Sequence, residues 1–172
     1  MCLTVYRTSH PDYRHYPKEY AQETTGPLTA DQDMICYKVV YYWKKDKGVF
    51  HAPYFNNFIY QLNQLYTCES FLKDASDLTY RHGNWIGAGY CLVEYGFHSF
   101  VTLNAAKYEL SWWKEREKES HCYSGYEFCI LKCVIPAGTR YYRGLYGALC
   151  TENENDSGSY CSEKISAVEV VK

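Results

Sequence analysis

Two stretches of the chain carry the apolar patterning of β-strands. Ile35 to Trp43 reads Ile-Cys-Tyr-Lys-Val-Val-Tyr-Tyr-Trp, rich in β-branched and aromatic residues, and it stops at the charged turn Lys44 to Gly48. Glu127 to Ile135 is apolar on both alternating faces apart from Lys132, the pattern of a central strand covered on both sides. Shorter segments follow the same logic. Val49–His51 returns on the first strand as a hairpin, and Pro53 with Asn56-Asn57 marks a loop before short strands near Phe58–Tyr60 and Leu65–Cys68. A strand runs through Cys91 to Val101. Pro136-Ala-Gly-Thr139 is a tight turn that returns through Arg140 to Arg143, Thr151 to Ser159 is an exposed polar loop, and Lys164 to Val171 is a closing strand.

Helical periodicity is concentrated in one place. Thr102 is a good N-cap, and Leu103, Ala106, Leu110 and Trp113 recur at three- and four-residue steps, which predicts a helix over about 102–118 with an amphipathic stripe. Its far end, Lys114 to Glu119, alternates in charge and reads as a solvated terminus. Ser70 caps a shorter helix through Asp77, and Pro17 to Glu23 suits a single short helix with proline in its first turn. Residues 1–34 are otherwise polar and broken by Pro11, Pro17, Gly26 and Pro27, so they are expected as an N-terminal arm. The expected fold is α+β: a twisted, mainly antiparallel sheet with the 102–118 helix packed on it, forming a single domain over 35–172 behind a polar arm.

Composition narrows the functional classes. The 172 residues, 47% of them hydrophobic, suffice for one core. Eighteen Lys and Arg against twenty Asp and Glu give a net charge of −2, which argues against a broad nucleic-acid or anionic-membrane footprint. No apolar run approaches the roughly 20 residues that span a bilayer. Met1 to His10 lacks the charged-then-apolar pattern of a signal peptide, so the chain is expected in the cytoplasm. In that compartment the nine cysteines read as reduced and mostly buried, with Cys36, Cys91, Cys129 and Cys133 inside strand-like runs. Twenty tyrosines suit strands and recognition surfaces alike.

Signatures of chemistry are sparse. No C-x-x-C or H-E-x-x-H spacing occurs, so no metal site is expected; the nearest approaches are Cys129 with Cys133 and the His121-Cys122 pair. Gly83, Gly87 and Gly89 lack phosphate-loop spacing and read as a flexible connection. There is no G-x-S-x-G elbow. His98, flanked by Gly96 and Ser99 at a strand-to-helix junction, is the histidine best placed for a functional role, and Cys91 is one thiol that a Cys-His pair would draw on.

The segments Gly96-Phe-His-Ser-Phe-Val-Thr-Leu-Asn-Ala-Ala106, Cys133-Val-Ile-Pro-Ala-Gly-Thr-Arg-Tyr-Tyr-Arg-Gly144 and Tyr160-Cys-Ser-Glu-Lys-Ile165 resemble those of small proteins of bacteriophages and gut Bacteroidota that carry no assigned activity. The resemblance spans roughly 35–172 and implies a phage or mobile-element origin, where accessory proteins work by binding, as virion parts or as antagonists of host defence. The order of elements is also similar, more distantly, to ADP-ribosyltransferase-like folds. That likeness implies a nucleotide-shaped cleft with Lys38 on the first strand, Tyr37 as a stacking group, His98 at the aromatic position of the second, and Glu163 as the late acid. Lys38 and His98 depart from the His or Arg and the Tyr which that family expects.

Two functional classes follow. The first is a non-enzymatic binding or accessory protein, needing no cofactor, that recognises a host protein or a nucleotide-like ligand; Tyr37, Lys38, His98, Ser99 and Glu163 are its candidate contacts. The alternative is a divergent ADP-ribosyltransferase-like enzyme with NAD as cosubstrate and His98 and Glu163 as its catalytic groups. A virion structural role is the third possibility. Oligomeric state is not legible from the sequence.

Overall fold

The computed structural model describes residues 3–7, 21–22, 26–46, 48–53, 58–71, 90–93, 95–120, 125–146 and 158–171. Its organising elements are two ten-residue strands, β4 (Met34–Trp43) and β10 (Tyr126–Ile135), paired antiparallel over their whole length from Met34 opposite Ile135 to Trp43 opposite Tyr126. Both expected long strands are therefore present, each extended by a residue at its start.

The remaining strands build outward from this pair. In chain order they are β1 (Leu3–Arg7), β2 (Ala21–Gln22), β3 (Leu28–Thr29), β5 (Phe50–His51), β6 (Ile59–Tyr60), β7 (Leu65–Thr67), β8 (Tyr90–Val93), β9 (Phe97–Phe100), β11 (Arg140–Tyr146), β12 (Gly158–Ser162) and β13 (Lys164–Val171). The described strands form one sheet in the order β2-β1-β11-β12-β9-β4-β10-β13-β7, while β3 adds to β11, β8 to β1, and the β5–β6 hairpin to β4. Every described pairing of strands is antiparallel except β1 with β2. The expected α+β class fits this arrangement, with the sheet dominating and α1 (Leu103–Ser120) as the single described α-helix.

Strand alternation divides the interior into layers. Val39 and Tyr41 of β4, with Phe128 and Ile130 of β10, face α1 and meet Ala105, Ala106 and Trp113. Trp113 stacks on Phe128 at 5.5 Å between ring centroids, and its indole N–H donates to the buried carboxylate of Glu109 at 2.8 Å. That bond helps to satisfy an acid that would otherwise be costly to bury. On the opposite face Cys36 and Val40 meet Leu131, Cys133 and Ile135, closed over by Phe50, Tyr60, Phe97, Ile165 and Ala167. Tyr66 packs against that cluster from β7.

The first 34 residues contribute more than an arm. Leu3 and Val5 are fully or almost fully buried beside Val93, Tyr142 and Cys161, and β1 pairs with both β11 and β8. Alternation of two apolar residues is too short a pattern to separate from a polar tail, and partners more than eighty positions away supply the burial. Ala21-Gln22, inside the helix expected from Pro17 to Glu23, are strand; the rest of that helix is outside the described residues, as are most of the Ser70–Asp77 helix and the glycines at 83, 87 and 89. Ser159 belongs to β12 and is buried, whereas 151–157 of the expected loop are outside the described residues. No described helix is long and apolar enough to cross a membrane.

Thr102 caps α1 as its sequence predicts: the Ala105 amide donates to Thr102 Oγ1 at 3.1 Å. Thr102→Ala removes this acceptor and is expected to cost about 1 kcal/mol, read as a lowered midpoint in urea unfolding with an unchanged slope.

Candidate functional site

Consecutive residues of a strand point to opposite faces, so Tyr37 and Lys38 part company at once. Tyr37 lies on the helix side, opposite Phe100 on one neighbouring strand and Lys132 on the other. Lys38 enters the other face and is only 9% exposed. Its ammonium donates to the His98 carbonyl and lies 5.3 Å from the centroid of the Tyr60 ring. Burial pulls the lysine's pKa down, and the nearby thiols of Cys133, Cys36 and Cys161 work against that shift.

Two of these thiols are cross-strand partners. Cys36 and Cys133 stand directly opposite each other in the β4–β10 ladder, both fully buried. For Cys36, burial raises the pKa, but the neighbouring Cys133 and Ser99, with the charge of Lys38, outweigh it and leave the thiol below its ordinary value. Cys133 moves well above its ordinary value because of its hydrogen bond with Cys36 and its burial. Ser99 is buried as well, and Lys38 and the His98 backbone meet beside it.

The His98 ring finds a different sulfur from the one its neighbourhood in sequence suggests. Cys161 is its register partner across β9 and β12, with Nε2 and Sγ 3.6 Å apart. The thiol also donates to the Tyr95 carbonyl at 3.3 Å. Cys91 lies on β8 with its side chain outside the described residues. Gly96 makes room for the Cys161 sulfur. Its φ of +136° suits glycine, and a Cβ there would meet Cys161 Sγ at 2.5 Å and Phe71 Cδ2 at 2.9 Å.

Glu163 sits at the bend between β12 and β13, and its carboxylate is held by Arg140. The guanidinium donates from Nε to Oε2 at 3.0 Å and from Nη2 to Oε1 at 2.7 Å, a bidentate pair. Their backbones are tied as well, with the Glu163 amide donating to the Arg140 carbonyl at 2.9 Å. The arginine holds the acid below its ordinary pKa, mainly by hydrogen bonding. The five candidate contacts therefore separate: Lys38 and Ser99 beside Cys36, the His98 ring on Cys161, Glu163 on Arg140, and Tyr37 on the helix side.

The helix-side face continues beyond the helix-packed cluster. One transverse row runs Tyr37, Lys132, Glu169, with Lys132 Nζ 3.1 Å from Glu169 Oε1. The next row runs Ile35, Val134, Ser166, Leu65 across four strands. Ile35 is 53% exposed and Leu65 55%. Lys132 carried the only sequence signal of this face, as the one charged interruption between the apolar residues of its strand. The aliphatic members resemble core residues until the register reveals where they stand.

No group of three or more His, Cys, Asp or Glu among the described residues is placed to hold a metal ion. Comparison with models of protein families, with curated proteins and with solved structures gave no match.

Gly96→Ala forces a clash with Cys161 and an unfavourable φ, and is expected to cost about 2 kcal/mol in urea unfolding. Glu163→Gln removes half of a partly exposed ion pair and is expected to cost about 1 kcal/mol at neutral pH after screening is allowed for. The folded pKa of Glu163 is depressed, so this stabilisation is fully present above the unfolded carboxylate value and disappears as pH falls through the folded one. Unfolding curves of wild type and Glu163→Gln should therefore converge in acid.

Proposed function

We propose that the chain is a non-enzymatic binding protein of phage or mobile-element type that recognises a host protein through the helix-side face beyond its helix-packed cluster. The observation that carries this reading is the row Ile35, Val134, Ser166, Leu65, which presents the half-exposed aliphatic side chains of Ile35 and Leu65 at its two ends beside a Lys132–Glu169 pair. An apolar strip bordered by a charge pair has the chemistry of a protein interface, with an anchoring centre and a polar rim. A nucleotide would instead favour a concave pocket with converging donors. Tyr37 borders the strip on this side.

The transferase-like alternative with NAD requires Glu163 and His98 beside one ligand. Glu163 is engaged by Arg140 and the His98 ring neighbours Cys161, so the protein-binding reading has the better support.

Ile35 and Leu65 each retain about half of their surface for a partner, and burying it contributes on the order of 1 kcal/mol per side chain. An aspartate at either position also requires desolvation of a charge in the complex. The test is affinity capture from host extract, identification of the retained protein, and calorimetry with that protein purified. Ile35→Asp and Leu65→Asp should each weaken binding by at least about tenfold with little change in melting temperature, while His98→Ala leaves the affinity unchanged. Thermal stabilisation by NAD, ADP-ribose or a nucleotide that disappears in His98→Ala would instead favour the enzyme reading. Self-assembly abolished by Ile35→Asp would favour a virion structural role.

A further inference from the structure

We propose that Cys36 and Cys133 are a redox pair that closes to a reversible cross-strand disulfide on reaction with hydrogen peroxide. Directly opposed residues in an antiparallel ladder have Cα atoms about 4.5 to 5.5 Å apart, inside the roughly 4.4 to 6.8 Å that a disulfide spans. Their Cβ atoms, about 4.5 to 5.5 Å apart, need to close towards the roughly 3.8 Å typical of a disulfide. The backbone has a place to yield. The β10–β13 ladder shifts register between Lys132 and Cys133, where Val168 is the added residue of a bulge. A bond formed under such closure carries strain, which makes it readily reduced and so reversible.

The surroundings assign the two sulfurs different roles. Burial disfavours the thiolate of Cys36, but Cys133 and the charge of Lys38 favour it, whereas Cys133 holds its proton more tightly through its contact with Cys36 and its burial. Both thiols are fully buried, so a water-sized neutral oxidant reaches them through local opening more readily than a bulky disulfide does. The Cys36 thiolate attacks one oxygen of the peroxide and the O–O bond breaks. The departing hydroxide takes up the thiol's proton as water, leaving a sulfenic acid. The Cys133 sulfur then attacks the Cys36 sulfur, the S–S bond forms as the S–O bond breaks, and the second hydroxide leaves as water with the Cys133 proton. Two thiols and one peroxide give one disulfide and two waters; sulfur loses two electrons and peroxide gains two.

Cys129 provides an internal reference on the same strand. It is less buried than Cys36, but burial and Glu127 push its pKa up to about 12. Exposure alone predicts that Cys129 oxidises first; the proposed pair predicts the reverse. The full chain is treated with one equivalent of hydrogen peroxide, quenched with catalase, unfolded in alkylating reagent and mapped by mass spectrometry. The expected product is a peptide pair joined through Cys36 and Cys133, about 2 Da lighter than the two free thiol peptides and separated by dithiothreitol. It should form at least about tenfold faster than Cys129 is lost. In Cys133→Ser, Cys36 should instead be trapped by dimedone as its sulfenic acid. Because the mapping uses the wild-type chain, the test does not depend on that variant folding. Full alkylation of both cysteines after Cys129 has been consumed, or a crosslink joining Cys36 to Cys161 in place of Cys133, would overturn the proposal.

Discussion

The continuous pairing of β4 with β10 is the constraint on which the other features depend. Ten consecutive register pairs leave no freedom in which face each side chain takes, because a slip of one residue would exchange the two faces completely. With the register set, Val39, Tyr41, Phe128 and Ile130 form the bed for α1, while Cys36, Val40, Leu131 and Cys133 enter the other core. The slip would bring Lys38 under the helix and set Tyr37 among the thiols. Apolar burial on both faces resists it.

Lys38 shows how such a frame holds a residue that is unfavourable on its own. A buried ammonium loses hydration worth several kcal/mol, and the chain returns part of it through the His98 carbonyl, the Tyr60 ring and the polarisable sulfurs nearby. The His98 carbonyl is available there because β9 joins β4 only near Phe100, opposite Tyr37, while β5 takes the same edge further along. The lysine therefore depends on the strand order as much as on its own side chain.

Long apolar runs and the helical stripe were legible in the sequence because their signals are local. Ile35–Trp43, Glu127–Ile135, Lys164–Val171 and the Thr102-capped helix all stand close to where their residues predict. Leu3–Arg7 was not legible, since its burial comes from β8 and β11, far along the chain. The site divides in the same way. His98 and Lys38 were visible as unusual residues on strands, but Cys161 beside His98 and Arg140 beside Glu163 are consequences of pairing, which no local pattern encodes. Ile35 and Leu65 were hidden for the opposite reason: their apolar character predicts burial, and only strand order reveals that they flank an exposed row.

The proposed docking face and the proposed thiol pair share a backbone. Cys133 and Val134 are neighbours on β10 and take opposite faces, with Cys36 and Ile35 opposite them on β4. Drawing Cys133 towards Cys36 on one face therefore displaces the peptide that carries Val134 on the other. The bulge at Val168 takes up that displacement beside Lys132 and Glu169, the charged margin of the exposed row. Over Ile130–Val134 the strand is paired on both sides, with β4 and with β13, so a movement of Cys133 is felt by both neighbours. The proposed oxidation in the interior and the proposed recognition at the surface would thus be coupled through two adjacent residues on each of two strands.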